Sequence, residues 1–197
     1  MNCGPCRNSW WVKALISLSD IKARTLLLCC FLFLAGGNAL AADKATIDKQ
    51  VASAMETFLQ SPSAGQLIDR AHGVLVFPKV VEMGFGIGGQ YGEGALLVDG
   101  DTEAYYASAG SSIGLQVGAQ NKAQLVLFMT ASGLKNFRRA KTWEAGVDGV
   151  ITVARAAEDG TIDSNVERAD IIGFVFSNSG FMYNLSLEGI KITGIQR

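Results

Sequence analysis

The sequence predicts an α+β fold: N-terminal helices packed on a strongly curved, mainly antiparallel, Gly-rich sheet or partial barrel. Three observations predict it. Helical periodicity dominates the segment from Asp43 to Ala71. From Val74 onward the chain changes to short apolar runs rich in β-branched and aromatic residues, separated by turn residues. Finally, Gly84, Gly86 and Gly88 fall on one face of a strand, and a similar stripe recurs at Gly110, Gly114 and Gly118. Strand glycines mark sharp bends or close backbone approach. No alternation of strands with crossover helices appears, so a doubly wound sheet is excluded.

The first forty-one residues stand apart. Lys22 and Arg24 precede an apolar run, Thr25 to Ala35, followed by Gly36-Gly37-Asn38 and Ala39-Leu40-Ala41. A basic stretch, a short apolar stretch and an A-x-A site compose a secretory signal peptide, with cleavage expected after Ala41. The apolar stretch is short for a bilayer about 30 Å thick. Neither Cys29 nor Cys30 follows the small residue that a lipoprotein signal needs. Residues 42–197 are then one domain without cysteine, since Cys3, Cys6, Cys29 and Cys30 all precede it. Four of the 17 Lys and Arg and one of the 18 Asp and Glu lie in the leader, which leaves the domain at a net −4. That charge argues against a nucleic-acid partner.

Within the domain, Ile47, Val51, Ala54, Met55, Phe58 and Leu59 share one face of a helix over 43–60. Ser61-Pro62 reads as the N-cap and first turn of a short second helix through Leu67, Ile68 and Ala71, closed by Gly73. Strands are expected at 74–77, 95–98, 103–108, 124–130, 149–154, 171–176 and 181–187. Turns are expected at Asp99-Gly100, Asn121-Lys122, Asp159-Gly160 and Asn178-Ser179-Gly180. One helix interrupts the strands, capped by Thr130 or Ser132 and running to Ala140, with Leu134 and Phe137 inward.

Two motifs suggest chemistry and fail on context. Gly84, Gly86 and Gly89 match the dinucleotide fingerprint, but that fingerprint needs a helix to start at its third glycine. Here Gln90-Tyr91-Gly92-Glu93-Gly94 follows, a poor first turn for a helix. Gly110-Ser111-Ser112-Ile113-Gly114 matches the nucleophile elbow, whose catalytic His follows the Ser. The only histidine, His72, lies upstream, and Ser112 falls within a continuous strand pattern. His72 has no second His or Cys beside it for a metal, and reads as a polar end to the second helix. The acidic stretches at 99–101 and 158–160 lack the spacing of a calcium loop. No enzyme activity, cofactor or metal is expected.

Binding has better candidates. Lys135, Arg138, Arg139 and Lys141 form the one dense basic cluster of the domain, on an amphipathic stretch. Such clusters attract anionic head groups at about 1 kcal/mol per nearby cation. Cations also favour the last turn of any helix, which accounts for the same residues without a ligand. Lys44 and Lys49, near the start of the first helix, are a secondary candidate. Trp143 follows the basic cluster and is read as core rather than as an interfacial anchor.

Several segments together carry a family resemblance. GVLVFPKVVEMGFGIGGQYGEGALLV (73–98), SIGLQVGAQ (112–120), QLVLFMT (124–130), WEAGVDG (143–149) and SLEG (186–189) resemble the SYLF-domain family of lipid-binding domains. The resemblance covers about residues 45 to 195. It implies a non-catalytic domain that binds lipids, phosphoinositides in eukaryotic relatives, some of which organise actin at membranes. It also implies a bacterial, exported member, periplasmic or secreted. In the eukaryotic relatives an amphipathic N-terminal helix and basic residues are associated with lipid binding. The helix at 43–60 occupies a similar place but is lightly basic, and actin binding is not carried over.

The expected function is therefore peripheral binding of anionic phospholipid or phosphoinositide-type head groups at an envelope membrane. Two other readings stay open: an envelope structural or protein-interaction module, and a carrier holding a small apolar ligand against the glycine-striped sheet.

Overall fold

The computed structural model of the protein describes residues 42–60, 64–154, 166–177, 180–181 and 187–197. The leader, the Ser61-Pro62 cap, the Asp159-Gly160 turn and most of 181–187 lie outside the described residues, as do Asn178 and Ser179. Residues 42–197 form one compact unit.

Helix α1 spans Lys44–Leu59 and α2 spans Ala64–Arg70. Asp43 starts α1 as an extended N-cap whose carboxylate accepts the Thr46 N–H at 2.8 Å. Two long strands follow, β1 (Gly73–Val98) and β2 (Asp101–Phe128), then α3 (Ala131–Arg139). Shorter strands complete the fold: β3 (Thr142–Glu144), β4 (Thr152–Val153), β5 (Ile171–Ser177), β6 (Gly180–Phe181) and β7 (Lys191–Ile195). The sheet runs β3-β7-β2-β5-β4, with β1 also on β2 and β6 on β5. Every pairing is antiparallel except β4 with β5. The sheet curls into a half-barrel, as the sequence led us to expect.

The expected strands at 74–77 and 95–98 are the two ends of one strand, β1, and those at 103–108 and 124–130 belong to β2. Asp99 and Gly100 join them, with φ of 52° and 89°. Two successive positive φ values are what a type I′ hairpin turn requires. Asn121-Lys122 is no turn: both residues lie inside β2, opposite Val81 and Val80. The polar pair is a sheet device instead, because the Lys122 ammonium is buried and bound to Glu82 Oε2 at 2.8 Å. Gly73 begins β1 rather than closing α2, and a Cβ there would meet Leu134 at 3.0 Å. Likewise His72 is exposed and does not end the helix; its backbone N–H donates to Phe128 O and opens the sheet. Ser112 lies within β2, so the elbow motif has no strand-to-helix turn.

At about 3.3 Å per residue, a straight β1 would separate Val76 from Gly94 by roughly 60 Å. The curl brings them into contact: a Cβ on Gly94 would fall inside the Val76 carbonyl oxygen and 2.8 Å from Phe77 Cδ1. Gly92 meets the same segment, with Val80 Cγ2 at 2.8 Å and Lys79 O at 2.9 Å from its hypothetical Cβ. These glycines are therefore occupied by the strand's own backbone. Register shifts at Phe77/Val80 and Phe85/Gly86 mark where the hairpin bends.

Where residues 74–77, 125–128 and 171–175 run side by side, both faces of the sheet are buried, which explains apolar runs without alternation. Val74, Val76, Leu125, Leu127, Ile172 and Phe174 face one core, closed by Ile47, Val51, Ala54 and Phe58 of α1. Leu75, Phe77, Val126, Phe128, Ile171 and Val175 face the other, closed by Leu134 and Phe137 of α3 and by Trp143. Phe58 sits 4.8 Å from Phe174, edge to face.

Candidate functional site

Helix α3 begins because Thr130, extended at its N-cap, accepts the Gly133 N–H with Oγ1 at 3.2 Å. Its apolar face is fully committed to the core. Leu134 and Phe137 are buried, and the Phe137 ring lies 4.8 Å from Phe128, 4.9 Å from Tyr106 and 5.8 Å from Trp143. Lys135, Arg138 and Arg139 are exposed on the remaining surface, at the three- and four-residue spacings that make neighbours on a helix. Lys141 follows, exposed, just before β3. With Leu134 and Phe137 buried, α3 presents charge rather than an apolar face to solvent.

Arg138 is partnered: its guanidinium binds Glu103 Oε2 of β2. Glu103 is the extra residue where the register jumps from Leu96–Ala104 to Leu97–Thr102. A bulge re-aims a side chain. Here its neighbours Thr102 and Tyr105 reach Asp48 of α1, whereas Glu103 reaches α3. Lys135, Arg139 and Lys141 make no ion pair among the described residues.

Lys44 and Lys49 stand elsewhere, on the helix that closes the other core. Lys44 is engaged with Asp48 Oδ2 at 3.3 Å and lies 4.9 Å over the Tyr105 ring. Lys49 is exposed. The structure thus brings Lys135, Arg138, Arg139 and Lys141 together and does not add the α1 lysines to them.

Asp48 anchors α1 to β2. Its Oδ1 accepts the Tyr105 hydroxyl at 2.8 Å and the Thr102 hydroxyl at 3.3 Å. Burial pushes its carboxyl up, but the Tyr105 and Lys44 hydrogen bonds, the Lys44 charge and the Thr102 bond outweigh this and hold it below 3.8. A lowered carboxyl contributes stability above the ordinary value and loses it as pH falls through the folded value. Solvent screening limits the contribution, so Asp48→Asn is expected to cost about 0.5–1 kcal/mol at neutral pH. Urea unfolding should show that difference at pH 7 and lose it progressively as pH falls from the ordinary carboxyl value through the lower folded one; an equal difference at both ends would discount the charge.

Among the described residues, two cavities lie beside the sheet. One, of about 440 Å³, lies between α1 and the bulge at Pro78–Lys79, with Ser53, Thr57, Asn121 and Phe176 among its walls. The other, of about 330 Å³, joins Ser132 and Asn136 of α3 to Asp148, Gly149 and Val150, over Trp143. Trp143 is buried, as the sequence suggested. No group of three or more His, Cys, Asp or Glu residues close enough to hold a metal ion exists among the described residues. No described helix is long and apolar enough to cross a membrane.

The curled, glycine-bent half-barrel thus carries a basic helix over one face. Residues 109–196 match the family Ysc84, described as Las17-binding protein actin regulator. Over this span, from β2 to β7, the chain is similar to that family, in keeping with the SYLF-domain resemblance of its sequence. That family is lipid-binding and actin-regulator-like, which supports a non-catalytic domain. No curated protein matches the chain.

Proposed function

We propose that this domain binds anionic phospholipid head groups, of the phosphoinositide type or another, at the surface of an envelope membrane, after export and removal of residues 1–41. The observation that carries the reading is the division of α3: Leu134 and Phe137 are locked in the core while Lys135, Arg138, Arg139 and Lys141 face solvent. In a domain of net charge −4, so local a concentration of cations favours a partner of opposite sign. At about 1 kcal/mol per cation near an anionic surface, and with Arg138 engaged by Glu103, the other three give about 3 kcal/mol, roughly a hundredfold in affinity, which salt weakens.

The test is co-sedimentation with neutral and anionic vesicles at low and high salt. Wild type should bind only anionic vesicles, more weakly in salt. A variant with Lys135, Arg138, Arg139 and Lys141 changed to Gln should bind about a hundredfold more weakly while keeping its unfolding midpoint. Undiminished binding by the folded variant would move the site to α1, and no binding by wild type would remove the membrane reading.

A further inference from the structure

Between Glu82 and Glu93, and again between Glu103 and Lys122, the chain carries no Asp, Glu, Lys or Arg. These two stretches form the middle of the β1–β2 hairpin, with Met83 opposite Ala119 and Tyr91 opposite Ala109. On either side of that middle the hairpin is flanked: β2 takes β7 along Tyr105–Ala109 and β5 along Ala123–Phe128. From Gly110 to Lys122, β2 pairs only with β1 among the described residues, and β1 pairs only with β2. The sheet there narrows to a two-stranded ribbon, whose outer edges have no strand beside them among the described residues. A two-stranded ribbon is marginal by itself, and an unpaired edge is a template for a further strand.

The chemistry of the edge selects its partner. Hydrocarbon would leave outward N–H and C=O groups unsatisfied, at several kcal/mol each, whereas another strand satisfies them. The carboxylates that bound the β1 stretch are already engaged, Glu82 by Lys122 and Glu93 by Arg197. Charge is a device by which edge strands avoid pairing, and an edge without it meets its own copy with no like-charge repulsion. The exposed apolar side chains set the register. Met83 and Tyr91 are 62% and 52% exposed, and they lie four residues to either side of Ile87. Separated by an even number of residues on one strand, they share a face. A two-fold axis at residue 87 places two copies antiparallel with Met83 of each opposite Tyr91 of the other, so that both exposed pairs join a thioether to a ring.

We propose that the β1 edge from Met83 to Tyr91 is a self-association edge, where two copies of this chain join antiparallel and turn two ribbons into one four-stranded sheet. The contact uses the same edge on both copies, so it closes as a dimer and does not propagate into a fibre. It stands independently of the lipid reading, which rests on α3.

The test is sedimentation equilibrium of the full chain over a range of concentrations, with hydrogen exchange read at residues 83–91. Wild type should be dimeric at high concentration, and its 83–91 amides should exchange more slowly there than on dilution. Met83→Glu and Tyr91→Lys each set a charge against an apolar side chain in both pairs at once, and each should weaken the dimer about tenfold or more. Mixing the two variants should restore it, because the new carboxylate and ammonium then face one another while the second pair keeps its native residues. Both side chains are exposed, so the unfolding midpoints should stay at the wild-type value. Association through any other part of the chain would survive both substitutions and leave the 83–91 amides unprotected, which would overturn the proposal. A wild type that is monomeric throughout, or a mixture of variants that stays monomeric, would overturn it equally.

Discussion

Gly94→Ala is expected to abolish folding or to cost more than about 4 kcal/mol, because the added methyl meets backbone and not a movable side chain. Its Cβ would overlap the Val76 carbonyl and lie 2.8 Å from both Val76 C and Phe77 Cδ1. Val76 is buried and its segment is held between the two cores, so it has no direction in which to retreat. Only an uncurling of the hairpin would make room, and that would expose the apolar face carrying Leu75, Phe77 and Leu96. Two controls separate this from a general intolerance of alanine. Gly89→Ala meets only Gly110 O, at 3.9 Å, and should be close to neutral. Gly65→Ala, in α2 with nothing within 4 Å, should be neutral or stabilising by up to about 1 kcal/mol. Soluble yield and urea midpoints of the three variants check the argument; a Gly94→Ala protein within about 1 kcal/mol of wild type would mean that the hairpin bends elsewhere.

Other glycines show how far the fold was legible. The alternation of Gly84, Gly86 and Gly88 marked a strand that had to bend, and the turn chemistry of Asp99-Gly100 located the hairpin. What the sequence did not disclose was continuity. Asn121-Lys122 has turn composition, yet Lys122 is tolerated in a buried strand because Glu82 pairs with it across the hairpin. Pairing across forty residues is invisible to local pattern. β3 and β7 were missed for a related reason: Thr142–Glu144 and Lys191–Ile195 are short and of mixed polarity, and pair with one another and with β2 only once the sheet has closed.

The candidate site divides similarly. The basic face of α3 could be read from helical spacing, because burial of Leu134 and Phe137 fixes which side is wet. The Arg138–Glu103 pair could not, since it depends on a bulge that turns Glu103 against the strand's alternation.

Phe137→Ala is expected to cost about 3–5 kcal/mol and, through that loss, to weaken vesicle binding. The nine residues of α3 are too few to remain helical alone, so the helix exists because it is docked. Phe137 supplies most of that docking, reaching Phe128 and Tyr106 of β2 on one side and Trp143 on the other. Removing the ring leaves a cavity beneath the helix and frees Trp143, on which Gly149 rests, so the basic face and the 144–150 turn loosen together. Phe137→Leu keeps much of the volume and should cost under about 1.5 kcal/mol. Binding should then follow stability in the order wild type, Leu, Ala. Lys135→Gln on the opposite face should do the reverse, leaving the unfolding midpoint within about 0.5 kcal/mol and lowering only the affinity for anionic vesicles. A helix whose inner face sets stability and whose outer face sets affinity gives that crossed pattern. If Lys135→Gln destabilised the fold, or Phe137→Ala left it intact, the two faces would have to be assigned anew.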